Sequence, residues 1–539
     1  MAPVVAKRLG SLPVIAGFCR RLDIAGIIDR ACPVRAVALA THGQVIEALI
    51  ANRLTSPAPM VRVAAWARDW AVPQVFGTQA DMLGDDRLAR ALDAIAPHLD
   101  DIIGSVGAGA ITEFGLDVAR LHWDMTSISL YGAYQDGDQD GDQDYPGPRW
   151  GHPKDRRVDL KQIQTGLAVT GDGGIPVWHR AYHGGAGEVS QVVGAMNALK
   201  TMAGPRDFLL IGDSKLISYT NLRALDRAGV TFIAPLGAAR VPAGLFTAAT
   251  LEAAWPVDYI AARDAGKPAD QRCRYRVNQD TMTLPGPRRA DPPLMLRRVL
   301  VHSSANQTGA AHARTLKLAK ARTDLDTLTR TAGTRFHPDA DAVTRRAAQI
   351  GAKRRVKAYL STHVDTDPTT GKPTFTWTFD QHAIDTEAAT DGWYALLTNL
   401  PPDTPDAGHV LRLYKGQAIV ERRYGDFKGP LAVAPLFLHH NRRITALITV
   451  ITLALLIYCL IERQVRANLT PETGLTGFYA YDNRAMRPTG RLILTALSEL
   501  QLLPATGNQP PRIPTPGHLQ TRLLALLHTD PTCPRWSDH

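Results

Sequence analysis

Apolar residues return every three or four positions through the first hundred residues, the spacing that gathers them on one face of a helix. In THGQVIEALIANRL, Thr41 to Leu54, a threonine suited to cap the first turn precedes the pattern, and Glu47 and Arg53 are expected to face outward. VRVAAWARDWAV and GDDRLARALDAIAPHLDDI repeat it. The latter opens on Asp85 and Asp86, whose charges suit the positive end of a helix dipole. The expectation is an N-terminal helical region over residues 1–115, either a DNA-binding module or a bundle that supports its neighbour.

At Val118 the period shortens. VARLHWDMTSISLYG is rich in β-branched and aromatic side chains and stops at Gly132. KQIQTGLAVT and IPVWHRAYHG follow, joined by Gly171-Asp172-Gly173-Gly174, a hairpin signal. Then come a helix (SQVVGAMNALKTM), a short apolar strand (FLLIGDS), a helix ending on Gly229 and a strand (VTFIAPL). The order β-β-β-α-β-α-β over 116–236 predicts an α/β fold, a mixed sheet that starts as an antiparallel meander and continues through parallel crossovers, with helices packed on it.

Between the first two strands lies QDGDQDGDQD, Gln135 to Asp144. A calcium loop starting at Asp136 would need Glu where Gly147 stands, so a solvated, disordered acidic loop over 135–147 is expected. Residues 237–408 read as an inserted, mainly β domain. It contains a basic helix bearing Arg345, Arg346, Lys353, Arg354, Arg355 and Lys357. Residues 468–539, rich in Pro and Thr, read as a C-terminal tail. Ile444 to Ile461, ITALITVITLALLIYCLI, is uncharged and at the lower length limit for a membrane span. Thr445, Thr449 and Thr452 share one face, Arg442, Arg443, Arg463 and Arg466 flank both ends, and no second apolar span exists. A buried core helix, and no membrane, is expected.

Composition narrows the classes. With 539 residues, 45% of them hydrophobic and 21% charged, the chain has core material for several domains, which excludes a fibrous or globally disordered protein. Lys+Arg 61 against Asp+Glu 51 leaves a charge of +10, favouring a polyanionic partner. None of Cys19, Cys32, Cys273, Cys459 and Cys533 stands at metal-ligand spacing, and the N-terminal segment lacks a secretory apolar run. A cytoplasmic, reduced protein is expected.

Two carboxylates stand out. Asp124 lies inside the strand LHWDMTSIS and Asp213 follows FLLIG. Aspartate is unfavourable in strands and costly to bury. Taken singly each reads as a turn or cap residue, but if the first and fourth strands are neighbours the two converge and need a cation, Mg²⁺ or Mn²⁺ for oxygen ligands.

LHWDMTSISLYG, GHPKDRRVDLKQI, GDGGIPVWHRAYHGG, FLLIGDSKLIS and YKGQAIVERRYGDFKGPLAVAPLFLHHNRRI occur in this order. Together they resemble DDE-class transposases of bacterial insertion sequences, in the insertion-sequence-4-like group. The resemblance implies an RNase H-like core whose second part, 409–467, carries the catalytic Glu after a β-rich insertion. Matched residue by residue, it makes Asp124, Asp213 and Glu421 the catalytic and metal-ligating triad. The group's box Tyr-x2-Arg-x3-Glu-x6-Lys reads here as Tyr414, Gln417, Glu421 and Lys428, with Gln in place of Arg, and Pro153 stands where Ser is expected. Tyr414, Gln417, Arg422, Arg423 and Lys428 are then candidates to grip DNA phosphates, with Lys154, Arg156, Arg157 and Lys161 as a second basic cluster.

The implied activity is cleavage of transposon ends and joining of the freed 3′-hydroxyl to target DNA by two-metal-ion phosphoryl transfer. The implied partners are double-stranded DNA, namely terminal inverted repeats and target, and a second copy of the chain in a homodimer on DNA, in the nucleoid. Two other readings stay open: an RNase H-like nuclease that cuts without joining, and a catalytically impaired DNA-binding relic.

Overall fold

Thr41 closes a capping box. Its side chain accepts the Gln44 amide, and the Gln44 side chain accepts the amide of Thr41, which fixes where one N-terminal helix begins. The computed structural model describes residues 6–530 except 133, 135–141, 403–404, 435, 480–483, 504 and 506–509. The chain divides into two units, 1–232 with 416–539, and 233–415.

The first unit opens with β1 (Lys7–Arg8), α1 (Leu12–Arg21), α2 (Ile24–Ala31), α3 (His42–Thr55), α4 (Val63–Asp69), α5 (Val72–Phe76), α6 (Asp85–Ile95) and α7 (Leu99–Glu113). The sequence assigns α3 a solvent face. Instead it packs against α1, α2 and α6, so Arg53 is buried and Glu47 half-buried rather than outward. Glu47 accepts the Ala25 amide at 3.2 Å, and burial pushes its carboxyl up to about 7.

Next come β2 (Arg120–Leu130), β3 (Lys161–Thr170), β4 (Pro176–Tyr182), α8 (Glu188–Ala203), β5 (Leu209–Ile211), α9 (Tyr219–Ala228) and β6 (Thr231–Leu236). The sheet is mixed. β2, β3 and β4 form an antiparallel meander, and β5 joins the other edge of β2 in parallel. The β3–β4 turn needs glycine, because Gly174 has φ +66° and a Cβ there would meet Ile419 at 2.5 Å.

The second unit, 233–415, contains α10 (Ala248–Glu252), β7 (Trp255–Val257), β8 (Tyr275–Leu284), β9 (Leu294–Ser303), α11 (Ser304–Thr331) and α12 (Ala340–Arg354). It continues with β10 (Leu360–Thr366), β11 (Pro373–Phe379), α13 (Gln381–Ala388), β12 (Trp393–Thr398) and α14 (Ala407–Lys415). Strands pair antiparallel in the order β6-β12-β9-β8-β7, and β10 and β11 form a separate hairpin. The unit is more helical than the mainly β insertion expected at 237–408. α11 runs for 28 residues on a narrow apolar stripe, Ala321, Leu325 and Leu328, too sparse to read in a polar sequence. On the basic helix α12, Val343, Ala347 and Ile350 face inward while Arg345, Arg346 and Lys353 are exposed.

The chain returns to the first unit with α15 (Ala418–Lys428), α16 (Asn441–Asn468), α17 (Gly490–Leu497), β13 (Gln501–Leu502) and α18 (His518–Leu526). α16 has an 18-residue window of mean hydropathy 2.7, and all of that window is buried. It packs against α3, α6, β4 and α17. Thr449 and Thr452 donate to the carbonyls one turn back, and Thr445 donates to the Pro146 carbonyl, so no hydroxyl is left unmet. Its basic flanks are pinned: Arg442 and Arg443 share Asp93, Arg463 pairs with Asp172, and Arg466 with Glu462.

Two expectations change. Of the acidic loop, 135–141 lies outside the described residues, but Asp142 is buried and accepts the amides of Asn441 and Arg442, because the first turn of α16 needs acceptors. The expected C-terminal tail is tied down as far as it is described, with β13 pairing antiparallel to β1, Lys7 opposite Leu502, and α17 and α18 packed on α16.

Glu47 supplies a stability test. Its ordinary value is 4.5, so between pH 4.5 and 7 the folded chain holds a proton that the unfolded chain has released. Stability therefore falls as pH rises through that window. Glu47→Gln should be more stable than wild type by about 1–3 kcal/mol at pH 8 and indistinguishable below pH 4.5, read by urea denaturation.

Candidate active site

Strand pairing brings Asp124 and Asp213 near each other. β2 and β5 pair with Arg120 opposite Leu209 and His122 opposite Ile211. The pairing ends two residues short of both aspartates, and Asp213 follows β5 near enough for its charge to act on Asp124. Asp124 is mostly buried, its side chain 14% exposed. Burial, with the Asp213 charge adding to it and Lys154 opposing, lifts its carboxyl to about 6. Asp213 also fills the cap role, accepting the Lys215 amide at 2.9 Å.

Lys154 supplies the countercharge. Its Nζ lies 3.4 Å from Asp124 Oδ1 and 3.5 Å from Glu188 Oε1, and it donates to the Met125 carbonyl. Glu188 is the first residue of α8 and was not singled out from sequence, where it reads as an ordinary acid at a helix N-terminus. Although burial acts the other way, Asp124 and Glu188 hold the Lys154 ammonium above its usual range.

The helix α15 is laid along β2. Gln417 Nε2 donates to the Trp123 carbonyl (3.2 Å), and the Tyr424 hydroxyl lies 2.7 Å from the Asp124 carbonyl and 3.1 Å from that of Thr165. Lys428 Nζ donates to Thr126 Oγ1 (2.9 Å) and to the Ser127 carbonyl (2.7 Å). These three residues fall at i, i+7 and i+11, one stripe of a helix, and Glu421 occupies i+4 of the same stripe. Glu421 is exposed. Among the described residues no three His, Cys, Asp or Glu side chains are gathered as a metal-ligand set, so Glu421 is not drawn in with Asp124 and Asp213. The aspartate pair itself suits a hard cation, since its donors are carboxylate oxygens and an ammonium already sits against one of them.

Gln417, where the sequence resemblance expects Arg, has a local reason. Its Oε1 lies 3.1 Å from His122 Nδ1, and burial lowers His122 to about 4, the Gln417 bond opposing, so the ring is neutral and an amide suits it. Tyr414 belongs to α14, in the other unit, and is not on the helix of Glu421.

Arg423 is structural rather than DNA-facing. Expected to grip phosphate, it is 1% exposed and each of its three nitrogens is engaged, in four bonds to the Gly173 and Gly174 carbonyls, Asp426 and Glu462. Glu462, buried, is occupied by Arg423 and Arg466, which outweigh burial and keep its carboxyl low, so it is no alternative ligand. Arg422 is exposed, 3.8 Å from Glu462. In the second basic cluster Arg156 is exposed, Arg157 bonds Asp159 and Tyr131, and Lys161 donates to the Tyr134 carbonyl. Lys428 gives two donors to β2, and Lys154 is shared among Asp124, Glu188 and the Met125 carbonyl, both residues remaining exposed.

Residues 4–101 match the model of a family described as a domain of unknown function, DUF4277. That match covers the N-terminal helices alone. A solved structure titled as a piggyBac transposase synaptic complex with hairpin DNA is 9% identical, with a TM-score of 0.39 over 90% of this chain and 79% of that one. Among curated proteins none matches.

The two neighbouring arginines separate support from ligand binding. Arg423→Met should destabilise the protein by about 3–5 kcal/mol in chemical denaturation, since it strands buried carboxylate and carbonyl oxygens. Arg422→Met, at an exposed position, should fall within about 0.5 kcal/mol of wild type.

Proposed function

We propose that this chain is a DDE-class DNA transposase with an RNase H-like core, of the insertion-sequence-4-like kind. It cleaves transposon ends and joins the 3′-hydroxyl to target DNA at a centre built from Asp124, Asp213 and Glu421. The observation that supports this most is the seating of α15 on β2. Three side chains of one helical stripe fasten to residues 123–127, and Glu421 rides on that stripe between the anchors that bracket Asp124. The order and spacing of the sequence motifs support the same reading.

Two Mg²⁺ or Mn²⁺ ions would supply activation of the attacking hydroxyl and charge stabilisation of the leaving oxygen. The residues themselves do the following. Asp124, in β2, and Asp213, just past β5, would offer hard oxygen donors, and Glu421 would have to move in from its exposed place on the helix to add a third. Lys154 lies against Asp124 and Glu188 and supplies the countercharge that a divalent ion would otherwise supply. Tyr424, Gln417 and Lys428 keep helix and strand in register. The exposed Arg156 and Arg422, with Arg157 and Lys161 once released from their present partners, would meet phosphates of double-stranded DNA, giving a steep fall of affinity with salt. The protein acts in the cytoplasm, on the nucleoid, as a homodimer pairing two terminal inverted repeats. One observation favours a second reading, an impaired DNA-binding relic: Glu421 stands apart from the aspartate pair.

Labelled duplexes carrying the terminal inverted repeat, incubated with Mg²⁺ or Mn²⁺, separate these readings. Asp124→Asn, Asp213→Asn and Glu421→Gln should each cut at less than about one hundredth of the wild-type rate, with duplex affinity unchanged within about threefold. Joined products mark a transposase, and cut products without joining mark a nuclease. Cleavage that survives chelation, or a Glu421→Gln variant at full rate, overturns the proposed centre.

A further inference from the structure

Arg53, in the last turn of α3, is 6% exposed, and its Nε has no hydrogen-bond partner among the described residues. No described carboxylate pairs with it. Burial alone acts on it, lowering it to about 10, so it stays charged at neutral pH. An uncompensated guanidinium is among the costliest groups to bury. The carbonyl end of α3 does not resolve this by hydrogen bonding: the Ser56 carbonyl takes Asn52 Nδ2, and Nε of Arg53 reaches no carbonyl.

Two clefts meet at this side chain. One, of about 420 Å³, is also lined by Asp85 and by Arg443, whose charge is already spent on Asp93. The other, of about 450 Å³, lies between the end of α3, Trp70, the Gly429–Leu431 turn and α17, all in the first unit. No Asp or Glu lines it. Its polar walls are Arg53, Arg491 and the hydroxyl-bearing Ser11, Thr55, Tyr458, Thr495 and Ser498, the Thr55 and Ser498 hydroxyls donating to backbone carbonyls and the Tyr458 hydroxyl to Asp426 behind the wall, and Trp70 is among its apolar ones. Two guanidinium groups, several hydroxyls and no acid are the donor set for an oxyanion. The planar fork of arginine matches phosphate oxygens, and the apolar walls leave room for an organic group attached to the phosphate.

We infer that this cleft is a binding site for a phosphate-type oxyanion, held by Arg53 at its base and Arg491 at its mouth. The occupant supplies the negative charge that the fold leaves Arg53 without. The phosphate belongs either to a DNA backbone or to a free phosphate or nucleotide. The inference stands apart from the carboxylate centre, because it holds or fails whether or not the chain cuts DNA.

The test uses the full chain, with inorganic phosphate as probe and chloride at matched ionic strength as control. Phosphate should raise the thermal unfolding midpoint of the wild type saturably. The concentration giving half the effect should rise at least tenfold in Arg53→Met and in Arg491→Ala. If DNA is the source, both variants also bind a duplex oligonucleotide at least tenfold more weakly, and phosphate competes with the duplex. If the source is a small phosphate, the phosphate response is lost and duplex affinity is unchanged. Equal responses to phosphate in wild type and Arg53→Met overturn the inference. If Arg53→Met fails to fold, Arg491→Ala, changed at an exposed position, decides alone, and an unaltered phosphate response there overturns it.

Discussion

The first unit depends on a set of side chains from α15 that hydrogen-bond to the backbone of β2. Backbone carbonyls inside a sheet are ordinarily satisfied by neighbouring strands, so Gln417, Tyr424 and Lys428 reach acceptors through their second lone pairs or at a strand end. Such bonds fix a helix both along and around its axis. They register an element that arrives late in sequence onto a strand formed much earlier, and with it the one acidic side chain of the stripe. The lysine used this way spends two of its three N–H donors on β2 while remaining exposed.

Charge inside this unit is arranged in two contrasting ways. Arg423, Glu462 and Arg466 form a closed group in which every buried charge meets an opposite one and the remaining donors meet carbonyls. Closed groups of this kind select one packing arrangement, because a helix shifted by one residue would strand a charge in the core. Arg53 is the opposite case, open on one side, and Asp124 lies between the two extremes, half compensated by Lys154. Incomplete compensation marks positions where a ligand has something to contribute.

The alternation of elements was readable from periodicity, as was the hairpin turn, since Gly173 and Gly174 both take positive φ. The Thr41 cap, the end of α9 at Gly229 and the apolar α16 were readable for the same reason, that local backbone chemistry decides them. Side-chain direction on α3 was not readable. Glu47 and Arg53 look solvent-facing in a helical projection, and only packing on several sides reveals that no such face exists. Glu188 was invisible because one acid in a first turn has no signature, and it gains its place only when Lys154 comes from another loop to stand between it and Asp124. Arg423 and Arg422 are adjacent and chemically identical in sequence, yet the helix turns one into the core and the other to water. The long α11 escaped because a stripe of three small and medium apolar residues hardly rises above a polar background.

The excursion of the chain through residues 233–415 has a biosynthetic consequence. Strands β2 to β5 leave the ribosome well before α15 and α16, so the nascent polypeptide must wait, with one flank of its sheet uncovered, until the second unit has been translated. A prematurely terminated product would carry both aspartates but neither the fastening helix nor the apolar rod at the centre of the first unit. Truncation in the later half of the message would therefore yield a chain that lacks the elements packed on its sheet and leaves that sheet's apolar face bare.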